Sequence, residues 1–220
     1  MPIINLVYEA PREWTPWANT VAYYPLEKDT NDYSGNNRNL TNSWITFSDG
    51  VWVFNGSTST AYRQDDAFDF YWTAPFTLSI WVKPNVSPSY NIVIWMEQDS
   101  SYHDKEIELL SNWVIQFQMW NNNEYKATSA SNTLSVWAWQ NLIASYNGSV
   151  MKLYKNWVEI ASYNWGSSYN NNPPRLVLSR ISWIWTAFNW QMSNAIVEKM
   201  WWTAQEVLDY YNITKSNYGL

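Results

Sequence analysis

The strongest constraint on this chain is a rhythm of short β-rich runs separated by turn signals. The runs are VAYYPL (21–26), GVWVFNG (50–56), FTLSIWVKP (76–84), NIVIWMEQ (91–98), WVIQFQMW (113–120), WQNLIASY (139–146), VMKLYKN (150–156), RLVLSR (175–180) and NAIVEKM (194–200). That spacing reads as an all-β antiparallel sandwich. Within FTLSIWVKP, Phe76, Leu78, Ile80 and Val82 alternate with Thr77, Ser79 and Trp81, which places the first set in the core. One segment reads as helix, TAQEVLDYYN (203–212), where Thr203 and Glu206 form a capping box ahead of Val207, Leu208 and Tyr211. Its expected length is about two turns. The polar stretches 31–43, 121–132 and 168–174 read as loops.

The length of 220 residues suits one sandwich domain, here residues 20–220 behind an amino-terminal arm of residues 1–19. Thirteen Lys and Arg against 19 Asp and Glu give a net charge of −6, which argues against nucleic acid or an anionic membrane as partner. The absence of cysteine excludes disulfides, thiolate metal sites and a Cys nucleophile. No apolar run approaches the roughly 20 residues of a membrane span, and the opening MPIINLVYEAPREW shows no signal peptide.

Average usage would give a chain of this length roughly 15 glycines, yet it has 6 glycines and 18 tryptophans. Tryptophan stands where glycine is wanted. In YKNWVEI (154–160) two strand-like runs meet at Asn156 and Trp157, where a two-residue hairpin normally reads Asn-Gly because its turn needs positive φ. Trp14, Trp17, Trp137, Trp183, Trp185 and Trp190 fall in similar turn-like settings. Two readings are open: UGA codons that the source organism reads as glycine have been rendered as tryptophan, or the protein is a binding protein rich in genuine tryptophans.

Taken in order, several motifs resemble the laminin-G-like members of the concanavalin A-like lectin and glucanase superfamily over roughly residues 20–212. YYPLEKDTNDYSGNNRNLT (23–41) is similar to the family's opening D-x-S-G-N stretch, VFNGSTS (53–59) to its F-G-S element, and FTLSIWVKP to its most recognisable strand. WQNLIASYNGSVMKLYKNWVEIAS (139–162) and FNWQMSNAIVEKMWWTAQEVLDYYN (188–212) resemble its later signatures, with Trp157 and Trp190 in glycine slots. The resemblance implies a two-sheet jelly roll, one sheet concave, with ligands bound on that concavity or at the loops of one rim. It implies little about function, since one fold hosts many.

Catalytic chemistry is weakly supported. A glycoside hydrolase needs two carboxylates flanking the scissile bond, and relatives carry E-x-D-x-x-E or E-x-D-x-E on one strand. In KEIELLSNW (105–113), Glu106 and Glu108 share a strand face, but Leu110 and Ser111 occupy the two possible third positions. A solvated strand face accounts for the pair as well. The single histidine, His103, sits in the polar loop DSSYHDKE (99–106) without a nucleophile elbow and reads as a surface residue. The resemblance also implies a calcium ion held by the opening loop and the last strand. Asp32, Asn36 and Asn194 are the matching positions, against a side-chain-stabilised turn at Asp32 and Asn36.

Sugars are recognised by an aromatic ring with amide or carboxylate partners. The best local collection is Trp120, Asn121, Asn123 and Tyr125, with Tyr102 and Asp104 facing it. The leading expectation is thus a non-catalytic carbohydrate-binding or adhesion module acting on a glycan or cell-surface polysaccharide. A structural virion protein, such as a tail-fibre or capsid-decoration domain contacting other virion or surface proteins, is the alternative, and a glycoside hydrolase ranks last. The expected location is extracellular, on a cell surface or on a virion.

Overall fold

A computed structural model describes residues 14–56, 58–70, 73–85, 90–97, 103–120, 123–164, 175–180 and 190–220, with backbone alone for Tyr90, Glu97, His103, Asp104, Arg180 and Trp190. In chain order the strands are β1 (Thr20–Tyr24), β2 (Thr41–Ser43), β3 (Thr46–Ser48), β4 (Val51–Val53), β5 (Thr60–Gln64), β6 (Phe76–Pro84), β7 (Tyr90–Glu97) and β8 (His103–Leu110). They continue as β9 (Val114–Trp120), β10 (Glu124–Thr128), β11 (Gln140–Tyr146), β12 (Val150–Lys155), β13 (Val158–Asn164), β14 (Arg175–Arg180) and β15 (Trp190–Glu198). One helix, α1 (Ala204–Thr214), follows. The strands form two antiparallel sheets, in the orders β13-β12-β11-β6-β15-β4-β3, with β1 also on β15, and β10-β9-β8-β7-β14-β5-β2. This is the expected jelly-roll sandwich.

Alternation along each strand builds the core between the sheets. Phe76, Leu78, Ile80 and Val82 of β6 meet Ile107 and Leu109 of β8 and Phe117 of β9, all fully buried. Thr77, Ser79 and Trp81 face the other side of β6 and are also buried, because the eight-stranded sheet is covered there. The cover is an aromatic layer of Trp14, Trp81, Tyr154, Trp202, Tyr210 and Tyr211 under α1. Residues 14–19 of the expected arm lie against this layer, with Trp14 edge-on to Tyr23 and Tyr210.

The helix begins as expected. The Thr203 hydroxyl accepts from the Glu206 amide at 3.2 Å and the Glu206 carboxylate accepts from the Thr203 amide at 2.7 Å. It runs for 11 residues, longer than two turns, and buries Val207, Tyr210, Tyr211 and Thr214 on one face. Among the described residues no helix is long and apolar enough to cross a membrane.

Three polar stretches depart from expectation. Residues 121–132 contain β10, residues 31–43 contain β2, and His103 opens β8 where a loop was expected. In β10 polar residues occupy the strand face that points away from the core and mask the alternation, whereas β2, Thr-Asn-Ser, has no buried residue to mark an inward face. Strands β3 and β5 were likewise unmarked; the expected loop 168–174 lies outside the described residues.

The suspect tryptophans divide. Trp137 takes φ 60°, and Trp17 starts a turn closed by its carbonyl accepting from the Thr20 amide. The β12–β13 hairpin forms as expected, with Asn156 left-handed at φ 58°, but Trp157 is not among the positive-φ residues. Trp14 is buried in the aromatic layer instead of a turn. Trp183 and Trp185 lie outside the described residues, and Trp190 opens β15.

Candidate functional site

The seven-stranded sheet carries polar chemistry on the face away from the core. Ile107 and Leu109 of β8 point inward, so Glu106 and Glu108 point out, as expected for a shared face. Register places Glu106 between Trp95 of β7 and Gln118 of β9, with Lys126 of β10 beyond Gln118. The next row runs from Ile92 through Glu108 and Gln116 to Thr128. On the far side Trp95 meets Val177 of β14 and Tyr62 of β5, and the Arg175 guanidinium stands 5.2 Å over the Tyr62 ring.

Hydrogen bonds join these rows. The Gln118 amide donates to Glu106 Oε1 at 3.1 Å, and the Gln116 amide donates to Glu108 Oε2 at 2.8 Å and to Gln118 Oε1 at 3.2 Å. Thr128 Oγ1 donates to Gln116 Oε1 at 3.0 Å. Glu106 and Glu108 are 0% and 1% exposed, which corrects the expectation of a solvated face. A general acid and a nucleophile must both reach the substrate. Neither carboxylate is accessible, and the two possible third positions remain Leu110, closing β8, and Ser111 after it.

Trp120 ends β9 on this same outer face and is only half-buried, with Asn123 exposed in the turn before β10. The pairing of Lys105 with Met119, extended by one residue, sets Asp104 opposite Trp120 in the backbone register. Tyr125 departs from the expected cluster. It shares the inward face of β10 with Ala127 and packs in the main core at 7% exposure. Tyr102 and Asn121 lie outside the described residues, as does the Asp104 side chain.

Asp32 closes the opening loop. Its Oδ1 accepts from the amides of Tyr23 and Ser34 at 3.0 and 2.9 Å, and its Oδ2 from the Arg38 amide at 2.9 Å. The Asn36 amide donates to the carbonyls of Thr20 and Val21 at 2.9 and 3.1 Å. Asn194, left-handed at φ 48°, accepts from the Tyr23 hydroxyl at 2.8 Å and donates to the Tyr218 hydroxyl at 2.6 Å. These partners make a hydrogen-bonded turn and a separate polar chain, not an oxygen cage fitted to calcium. Among the described residues no group of three or more His, Asp or Glu gathers. Asp32→Ala strips three amides of their acceptor and is expected to cost about 2–3 kcal/mol in urea unfolding. A loss under 1 kcal/mol would show that the loop is held otherwise.

A cavity of about 170 Å³ beside this chain is lined by residues including Trp14, Tyr23, Glu27, Asp29, Tyr33 and Asn194. The Tyr33 hydroxyl donates to Asp29 at 3.1 Å. Next to it the Tyr218 hydroxyl donates to Ser193 Oγ at 2.9 Å, and burial pushes that phenol above the ordinary tyrosine range. Sequence reasoning missed this cavity because its walls come from β1, the opening loop, β15 and the residues after α1, and no local motif joins them.

Comparison with known proteins agrees with the fold and motif order. A laminin-G family model described as Concanavalin A-like lectin/glucanases superfamily matches residues 55–207. A search of the curated proteins finds no match. Among solved structures, domain 4 of AbnA, a GH43 extracellular arabinanase from Geobacillus stearothermophilus in complex with arabinotriose, superposes with TM-score 0.73 at 19% identity, covering 89% of this chain and 98% of that one. The binding domain of Paraclostridial Mosquitocidal Protein 1 gives 0.73 at 18% identity, covering 88% of this chain and 52% of that one. A botulinum neurotoxin type C structure, whose cell entry depends on two ganglioside molecules, gives 0.69 at 15%, covering 88% and 51%. This chain therefore spans about half the length of the two toxin structures. Identities this low speak for the fold alone; the family match, which covers most of the chain and includes β6, speaks for descent. The two sheets, the ordered motifs and that match together make this chain a member of the concanavalin A-like lectin/glucanases superfamily.

Proposed function

We propose that the domain is a non-catalytic glycan-binding module acting outside the cell, and that its ligand lies over the Trp120 end of the seven-stranded sheet. The observation that carries this reading is the superposition on nearly the whole of an arabinanase domain solved with a trisaccharide. Two toxin neighbours, one described as a binding domain and one tied to gangliosides, support it. Binding without catalysis is supported by Glu106 and Glu108, which are buried and engaged by glutamine amides.

A sugar presents C–H groups on one face and hydroxyls on its edge, so it needs an accessible ring beside amides or carboxylates. On the outer face Trp95 is buried, whereas Trp120 is only half-buried, with Asn123 exposed nearby in the chain. Glu124 and Lys126 form an ion pair at the same edge. The test is titration with arabino-oligosaccharides and ganglioside headgroups by calorimetry. Trp120→Ala is expected to weaken binding roughly tenfold or more, while Tyr33→Ala, in the cavity, leaves it unchanged. Loss with Tyr33→Ala but not Trp120→Ala would move the site to the cavity, and no binding by the parent protein would overturn the glycan reading.

A further inference from the structure

Backbone conformation sorts the tryptophans of this chain. Among the described residues every glycine, Gly35, Gly50, Gly56, Gly148 and Gly219, has positive φ, between 72° and 97°. Most of the non-glycine residues with positive φ are Asn or Asp, whose short polar side chains tolerate that region. Apart from Leu26 and Ser179, the rest are tryptophans: Trp44 at φ 62°, Trp113 at 61° and Trp137 at 60°. A bulky aromatic in the left-handed region is an outlier, because its Cβ crowds the backbone. Three in one chain share a cause.

Their surroundings agree. Trp113 follows Asn112, itself at φ 59° and ψ 26°, in the β8–β9 connection. Two successive left-handed residues are the conformation that an Asn-Gly pair adopts in a hairpin. Trp44 lies between β2 and β3 and Trp137 before β11, and their rings are 77% and 69% exposed. Trp113 is half-buried against the main core, whereas at Trp44 and Trp137 neither backbone strain nor exposed ring is compensated by burial.

Other tryptophans behave as tryptophans. Trp52, Trp81 and Trp202 are fully buried, none has positive φ, and the Trp52 indole donates to the Asp29 carbonyl at 3.1 Å. Trp81 stacks on Tyr218 with ring centroids 4.0 Å apart. Glycine at any of these three would leave a cavity the size of an indole.

We propose that Trp44, Trp113 and Trp137 are glycines in the protein as its own cell makes it, encoded by UGA codons that the source organism reads as glycine, whereas Trp52, Trp81 and Trp202 are genuine tryptophans. The two most exposed rings of the group are then no sugar platforms. Trp120, in a strand and outside the left-handed set, stays a tryptophan.

The test is peptide mass spectrometry of the protein isolated from its native cells, alongside the codons at these positions. The expected result is glycine with UGA at 44, 113 and 137, and tryptophan with UGG at 52, 81 and 202. Tryptophan or UGG at the first three, or glycine at any of the second three, overturns the sorting. A second measurement uses the protein with tryptophan at these positions. Trp44→Gly with Trp137→Gly is expected to raise Tm by roughly 5 °C as left-handed strain is relieved, and a lower Tm would contradict the assignment.

Discussion

Trp81→Ala is expected to lower the unfolding free energy by about 3–5 kcal/mol, the range for a buried aromatic cut to a methyl group. Trp81 sits on β6, the strand between β11 and β15, and is fully buried. It points away from the main core into the aromatic layer, where Tyr218 stacks on it at 4.0 Å and Tyr211 lies nearly parallel at 5.8 Å. Those two tyrosines belong to α1 and the turn after it, so removing the indole takes away the platform on which the C-terminal segment rests. Urea unfolding followed by tyrosine fluorescence and by far-ultraviolet dichroism measures the loss. A change below 1 kcal/mol would show that α1 is held by other contacts.

Glu198→Gln is expected to stabilise the protein at pH 8 by up to about 3 kcal/mol and to leave it nearly unchanged at pH 4. Glu198 ends β15 between Thr20 and Thr77, and its side chain is buried. Burial pushes its carboxyl up to about 7; the Thr20 hydroxyl, donating to Oε1 at 2.6 Å, pulls it back, and the charge of Glu206 raises it again. Among the described residues its Oε2 has no hydrogen-bond partner. A folded pKa above the unfolded value of about 4.3 means that the folded state holds the extra proton. The contribution is therefore complete below about pH 4 and lost as pH rises to about 7. The glutamine variant keeps an acceptor for Thr20 and carries no charge, so its stability should lose this slope. Parallel pH profiles of parent and variant between pH 4 and 8 would contradict the assignment.

Much of the fold is legible in the sequence, and particular residues show why. The alternation in FTLSIWVKP matches β6 at both ends, since a strand at the centre of a sheet puts its apolar residues on a fixed parity. Thr203 and Glu206 announce α1 because a capping box is local chemistry. The polar strands were harder. In HDKEIELL only Ile107 and Leu109 mark the inward face at once, while Glu106 and Glu108 look solvated until Gln116 and Gln118 arrive from the next strand. Tyr125 illustrates the same point at the candidate site: once 124–128 is a strand, period-two parity puts Tyr125 with Ala127 in the core. The turn alternative at Asp32 and Asn36 was readable from the local Asx pattern, whereas the chain linking Tyr23, Asn194 and Tyr218 joins residues far apart in sequence. Turn positions could be suspected from sequence at Trp137, but Trp44 and Trp113 needed backbone angles.

Glycan binding by this jelly roll is measured directly by exposing the protein to a broad glycan array, with and without a calcium chelator. The expected result is selective binding to a small set of structurally related glycans, unchanged by chelator because Asp32 is engaged by three backbone amides. Failure to bind any glycan under either condition would contradict it.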